Sequence, residues 1–266
     1  MTTIVDYLEK HRQDFPEKVF VQIDSQKWTF ENIYNKVNKI NLILNQFPTN
    51  SVISIMFDNS IEFIISYLGI IKAGKIVHII SPSISKKNFL EQIKSCNPKI
   101  ILTLKKFIGE FETIQNKIKL VDFYEFESEN ISKKKSEISD ISSLMYTSGT
   151  TSSPKGVPIK HENTIFTTKN IVNILKYNNS DIDVIPLSLS HSFGLGCFHT
   201  ALFVGSTLIL HKNTMNILEV LNSIKNNNAT TFAAVPATLT SLVNDFPEKF
   251  VEKCSGLRLI ITNSTK

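Results

Sequence analysis

Short apolar runs of strand length alternate with helix-period segments along almost all of this 266-residue chain. That alternation limits the fold more than any other feature. Residues 51–57, 76–80, 99–104, 183–186, 207–210, 230–235 and 257–262 are apolar stretches suited to buried strands. Between them the period changes: after Thr29, Ile33, Val37, Ile40 and Leu44 recur on one helical face. A further helix is capped near Asn59 and Ser60 and stops at Gly74, a residue suited to the position past a helix end. Helices are also predicted over 162–176, 196–204 and 216–225, and a hairpin around Asp24, Ser25 and Gln26. Such an order predicts an α/β fold, with layered helices on largely parallel sheets. Residues 127–140 are polar and read as a linker or surface excursion between subdomains.

The stretch from Leu144 to Gly156 (Leu-Met-Tyr-Thr-Ser-Gly-Thr-Thr-Ser-Ser-Pro-Lys-Gly) places hydroxyls, a glycine and one lysine in a turn between two apolar runs. Polyphosphate binding calls for this chemistry. Backbone N–H groups of a tight loop point at anionic oxygens, and glycine permits close approach. Thr147, Ser148, Thr150 and Thr151 add O–H donors beside Gly149, and Lys155 adds a point charge. A Walker A loop would need Gly before the lysine and Ser or Thr after it, then a helix. Here Pro154 precedes Lys155, Gly156 follows, and Val157-Pro158-Ile159 reads as a strand, which disfavours a P-loop NTPase. Residues 144–146 are predicted to form a strand paired with 157–160, with 147–156 a poorly ordered loop when no ligand is bound.

Charge and cysteine usage exclude several function classes. The net charge is +5 from scattered lysines, without an aromatic-interleaved basic patch, so no nucleic-acid partner is expected. The apolar region 61–80 is interrupted by Glu62, Lys72, Gly74 and Lys75 and is too broken to span a bilayer. Cys96, Cys197 and Cys254 are dispersed and form no metal-ligand spacing, which suits a cytoplasmic protein with no metal site of its own.

The loop resembles the phosphate-loop signature of the adenylate-forming superfamily, Tyr-Thr-Ser-Gly-Thr-Thr-Gly-x-Pro-Lys-Gly. That superfamily comprises acyl- and aryl-CoA synthetases, luciferases and peptide-synthetase adenylation domains. The match covers Tyr146 through Thr151 and Pro154 to Gly156, and departs at Ser152, where the family has Gly. Leu68-Gly69-Ile70-Ile71-Lys72-Ala73-Gly74 is similar to another family block. His161-Glu162-Asn163 is similar to a His-x-Asn element, with the opening of a helix as its predicted role. Pro186 to Gly194 resembles a Pro-x-x-His-x-x-Gly segment, and Ala234 to Thr238 a Val-Pro-Thr strand end. A helix beginning at Pro236 explains the latter equally well.

The resemblance implies the partial N-terminal core of an adenylate-forming fold over residues 1–266. It also implies ATP with Mg²⁺, a small-molecule carboxylic acid as substrate, and coenzyme A as a thiol acceptor. In the family a carboxylate attacks the α-phosphorus of ATP and expels pyrophosphate, and a thiol then takes the acyl group. Thr147, Ser148, Gly149, Thr150, Thr151, Ser152 and Lys155 would hold the phosphates. His191, Gly194, Val235 and Pro236 would line the acid's pocket. Asn263 and Ser264 stand where the family usually has glycines. The family's later motifs, which contact adenine, supply the Mg²⁺ ligand and carry the catalytic lysine of a C-terminal domain, have no counterpart within these residues. Two readings remain open. One is an N-terminal portion inactive alone, truncated or completed by a second polypeptide. The other is a non-catalytic module that binds a ligand or partner. On the first, the strand at 257–262 stands at an open edge that favours association.

Overall fold

The structure is a computed structural model and describes residues 2–109, 119–129, 137–147, 154–212 and 216–263. The chain begins with α1 (Ile4–Asp14), β1 (Val19–Ile23), β2 (Gln26–Thr29), α2 (Phe30–Leu44), β3 (Val52–Met56), α3 (Ile61–Lys72) and β4 (Ile76–Ile80). It continues through α4 (Lys86–Cys96), β5 (Ile101–Thr103), α5 (Lys105–Ile108), β6 (Leu120–Asp122), α6 (Phe123–Glu127), β7 (Ile141–Thr147) and β8 (Lys155–Lys160). The remainder is α7 (His161–Leu175), β9 (Ile182–Ile185), α8 (Ser192–Val204), β10 (Thr207–Leu210), α9 (Ile217–Asn226), β11 (Thr231–Ala233), α10 (Pro236–Asp245), α11 (Pro247–Cys254) and β12 (Leu259–Ile261).

Two compact units form. The first contains residues 1–6 and 32–165, the second residues 7–31 and 166–266. Among the described residues each holds one six-stranded sheet with the same logic: five parallel strands and one antiparallel edge strand. The first sheet runs β6-β5-β3-β4-β7-β8, with only β8 antiparallel. The second runs β12-β11-β9-β10-β1-β2, with only β2 antiparallel. Near-continuous apolar strands follow from this arrangement, since a parallel strand is covered on both faces. The α/β expectation, with largely parallel sheets, agrees with what forms.

In the first unit, Ile33, Val37, Ile40 and Leu44 are all fully buried on α2. Ser60 caps α3 by accepting from the Phe63 N–H, and Ser85 caps α4 by accepting from the Asn88 N–H. Gly74, just past α3, has φ +69°, as the sequence predicts for that position. A cluster of Met56, Ile80, Phe89, Ile93, Ile101 and Phe107 forms the core around β3, β4 and β5. Residues 127–140, predicted as a linker, fall inside this unit; 130–136 lie outside the described residues. The segment is anchored at its start, where Lys36 Nζ is 2.8 Å from Glu127 Oε1.

In the second unit, Val184, Ile209, Val220, Leu221, Ile224, Phe232 and Leu242 form the core. Beside it Phe20 and Phe30 stack at 4.7 Å. Two buried aspartates tie the strand entrances together. Asp181 accepts from Arg258 Nε (2.8 Å) and Nη2 (2.5 Å) and from Thr230 Oγ1 (2.8 Å). Asp183 accepts from the hydroxyls of Ser206 and Thr231, and burial pushes its carboxyl up to about 6. Among the described residues β12 is the outermost strand of this sheet, with Ile260 exposed. One helix start differs from expectation: α8 begins at Ser192, four residues ahead of the predicted 196. Gly194 and Gly196 lower helix propensity there, and tertiary packing of the first turn overrides them.

Candidate nucleotide-phosphate and acid site

In the first unit the candidate phosphate-binding residues lie at the end of β7. This strand runs parallel to β4, with Val77 opposite Ser143 and His78 opposite Leu144, and β8 returns antiparallel on its other side. The pairing predicted for these strands forms and extends further than expected, to Tyr146 opposite Gly156 and Thr147 opposite Lys155. Thr147 and Lys155, both exposed, therefore face one another across the two ends of residues 148–154. The carboxyl end of a parallel strand is where ligands bind in open α/β sheets. Ser148, Gly149, Thr150, Thr151 and Ser152, together with the expected disorder of the loop, lie outside the described residues.

Behind the strand end is a packed polar relay that the sequence reading missed. The Tyr146 ring covers Gly156: a Cβ there would sit 3.1 Å from Tyr146 Cζ and 3.2 Å from Leu144 Cδ1. On its other side the Tyr146 ring meets the ring of His78 edge-on at 5.1 Å, and its hydroxyl reaches the Gln92 carbonyl at 3.4 Å. His78 is fully buried, and burial pushes it down to about 4, so it is neutral near pH 7. Its Nε2–H donates to Gln92 Oε1 (3.2 Å), leaving Nδ1 to accept from Ser54 Oγ (2.8 Å) and Cys96 Sγ (3.3 Å). Burial pushes the Cys96 thiol up to about 11, which keeps it a donor. Only the His and Tyr residue types could have hinted at this cluster, because its members come from β3, β4, α4 and β7.

The second unit has a candidate of its own, a cavity of about 510 Å³. Its lining residues are Pro186, Leu187, Ser188, His191, Ser192, Phe193, Gly194, Val235, Thr238 and Asn263. They follow the carboxyl ends of three adjacent parallel strands, β9, β11 and β12. From β9 the chain crosses to β10 on one side and then to β11 on the other, so the cavity lies at a topological switch point. Of the four residues predicted for an acid pocket, His191, Gly194 and Val235 line this cavity together. Pro236 is not among the lining residues. It opens α10, with Val235 as the helix cap, so the strand-end and helix-start descriptions of this segment both hold. His191 caps α8, its side chain making no capping bond, and its N–H donates to the Ser188 carbonyl at 3.2 Å. Gly194 fits against backbone: a Cβ would fall 2.3 Å from the Ser188 carbonyl oxygen. The spacing of Thr238, Leu187 and Asn263 along the chain gives no sign that they share the cavity.

A profile of the AMP-binding enzyme family matches residues 8–265. The chain belongs to that family. Among curated relatives it is 25% identical to 2-succinylbenzoate–CoA ligase of Bacillus licheniformis, over 94% of this chain and 52% of that protein. It is also 25% identical to the peroxisomal OPC-8:0-CoA ligase 1 of Arabidopsis thaliana, over 82% and 44% of the two chains. It is 27% identical to gramicidin S synthase 2 of Brevibacillus brevis, over 99% of this chain and 6% of that one. The chain thus spans about half the length of these CoA ligases. In fold it matches the o-succinylbenzoate CoA synthetase of Bacillus subtilis, solved with an acyl-adenylate intermediate, at a TM-score of 0.86 and 24% identity. That match covers 100% of this chain and 55% of the other. The same synthetase, solved with ATP and magnesium ion, matches at 0.84. Among the described residues no group of three His, Cys, Asp or Glu side chains could hold a metal, and no helix is long and apolar enough to cross a membrane.

Proposed function

We propose that this chain carries the phosphate-binding and acid-binding parts of an ATP-dependent, acyl-adenylate-forming ligase of the acyl-CoA synthetase kind. The observation that carries this is the β7–β8 register. It sets Lys155 opposite Thr147 at the end of a parallel strand and brings together the two ends of a segment rich in hydroxyl donors. Charge develops on the leaving pyrophosphate in such a reaction, so fixed donors and an ammonium at that place favour it. Thr147, Ser148, Gly149, Thr150, Thr151, Ser152 and Lys155 would hold the phosphates, and Mg²⁺ would accompany the nucleotide as additional countercharge. The cavity at the ends of β9, β11 and β12 would orient a small carboxylic acid, with His191, Gly194 and Val235 on its wall and Pro236 setting the start of α10. His191 is a wall residue here and no base, because the nucleophilic carboxylate is already ionised. Coenzyme A is the proposed acyl acceptor.

The 266 residues by themselves are proposed to bind without turning over, with the remaining machinery supplied by further residues or a second polypeptide. This is supported by the match to only about half of each CoA ligase. Calorimetry with pyrophosphate and with ATP tests the reading. Wild type should bind weakly, and Lys155→Ala should bind about tenfold more weakly, the loss of one charge-assisted contact. Carboxylate-dependent ATP–pyrophosphate exchange by the same 266 residues should stay at background. Equal affinity of wild type and variant would remove Lys155 from the site. No binding of either nucleotide or pyrophosphate would favour a non-catalytic module.

A further inference from the structure

We propose that Tyr146 is a positioning residue that tethers the free end of the β7–β8 hairpin and so fixes Lys155 for the phosphates. The inference rests on the phosphate-site reading above and adds to it a residue that acts through Lys155. The pairing of β7 with β4 stops at His78 opposite Leu144, whereas that of β7 with β8 runs on to Thr147 opposite Lys155. Among the described residues β8 is the outermost strand of its sheet. The pairs 145 with 157, 146 with 156 and 147 with 155 therefore project beyond the bonds that tie β7 to β4. A two-stranded hairpin by itself is marginally stable in water, so an end like this keeps its place through side chains.

Side chains alternate between the two faces of a strand, so Met145 and Thr147 stand on the face opposite Tyr146. Tyr146 is the projecting side chain that reaches back to β4 and α4. Its ring meets the buried His78 ring edge-on at 5.1 Å and covers Gly156, where a Cβ would fall 3.1 Å from Tyr146 Cζ. Its hydroxyl reaches the Gln92 carbonyl at 3.4 Å, with Ser95 and Cys96 of the same helix beside it. The base of the tether is itself fixed, since His78 is bonded to Ser54 Oγ at 2.8 Å and Gln92 Oε1 at 3.2 Å. Without the ring the Lys155 ammonium would have to be ordered at the moment of binding, and that ordering lowers affinity.

The test is pyrophosphate binding by calorimetry on the full chain, with Tyr146→Ala and Tyr146→Phe made alone and in the Lys155→Ala background. Tyr146→Ala should bind about fivefold more weakly than wild type, the worth of one aromatic pair. Tyr146→Phe keeps the ring and should stay within about twofold of wild type, because a hydroxyl contact as long as 3.4 Å contributes little. Once Lys155→Ala has removed the ammonium, Tyr146→Ala should weaken binding by less than about twofold more, since a tether acts through the group it places. A merely structural role would lower the urea midpoint and leave the affinity of the folded protein as it was. Should Tyr146→Ala fold poorly, Tyr146→Leu takes its place in the same comparison. A Tyr146→Ala affinity equal to wild type, a loss of the same size in both backgrounds, or a loss that Tyr146→Phe shares would overturn the tether and leave the phosphate site standing. No binding of pyrophosphate to wild type would overturn the phosphate site together with it.

Discussion

Gly194→Ala is predicted to destabilise the protein while Gly196→Ala, two residues along the same helix, stabilises it. Both glycines lie in α8, where alanine is preferred over glycine by about 1 kcal/mol. Around Gly196 nothing lies within 4 Å of an added Cβ, so that preference is expressed directly. At Gly194 the added Cβ would sit 2.3 Å from the Ser188 carbonyl oxygen, 2.8 Å from its carbon and 3.3 Å from the Leu187 carbonyl carbon. These are backbone atoms, so relief requires α8 or the segment after β9 to move by about 1 Å. Overpacking of this severity costs about 3 kcal/mol, the upper end of the usual range. Less the helical gain, Gly194→Ala should lose about 2 kcal/mol and Gly196→Ala gain about 1. With a urea slope of about 2 kcal/mol per molar, the midpoints should move by about 1 M down and 0.5 M up. The displaced segment carries Ser188 and His191, so Gly194→Ala should also weaken binding of carboxylic acids, while Gly196→Ala should not. Midpoints that shift together, or a Gly194→Ala variant at least as stable as wild type, would refute the close-approach argument.

Two further predictions concern buried charge. Arg258→Ala strips a bidentate partner from Asp181, which is 2% exposed, and should cost about 3 kcal/mol in urea unfolding; a loss below about 1 would show that water replaces the guanidinium. Acid should destabilise the fold through His78 and His199, which burial pushes down to about 4 and about 3. Below the ordinary value of 6.5 the unfolded chain takes up protons that the folded chain refuses, so each histidine removes about 1.4 kcal/mol per pH unit. Asp183 opposes this. With its carboxyl raised to about 6, it binds a proton in the folded state first and adds stability as pH falls from about 6 towards 3.8. Asp183→Asn should therefore steepen the loss between pH 6 and 4 in a urea series, and an unchanged or flatter slope would contradict this assignment.

What the sequence determined by itself was local. Period and punctuation are carried by neighbours in the chain, so the apolar face of α2, the cap at Ser60 and the stop of α3 at Gly74 could all be read from it. The β7–β8 hairpin was legible for the same reason, since a donor-rich turn between two apolar runs leaves the chain little choice but to return on itself. The start of α8 was misread because propensity argues against two glycines in the first turns. Only the close packing of Gly194 on the Ser188 carbonyl, a contact across an intervening loop, makes glycine the right residue there. Tertiary structure alone decided the strand orders. The return from β10 past β9 to β11 creates the switch point and gathers residues 186–188, 191–194, 235, 238 and 263 into one cavity. It likewise brought His78, Gln92 and Cys96 behind Tyr146. Contacts between residues far apart in the chain leave no periodic trace in it, because side-chain patterning records which face is buried and not what buries it.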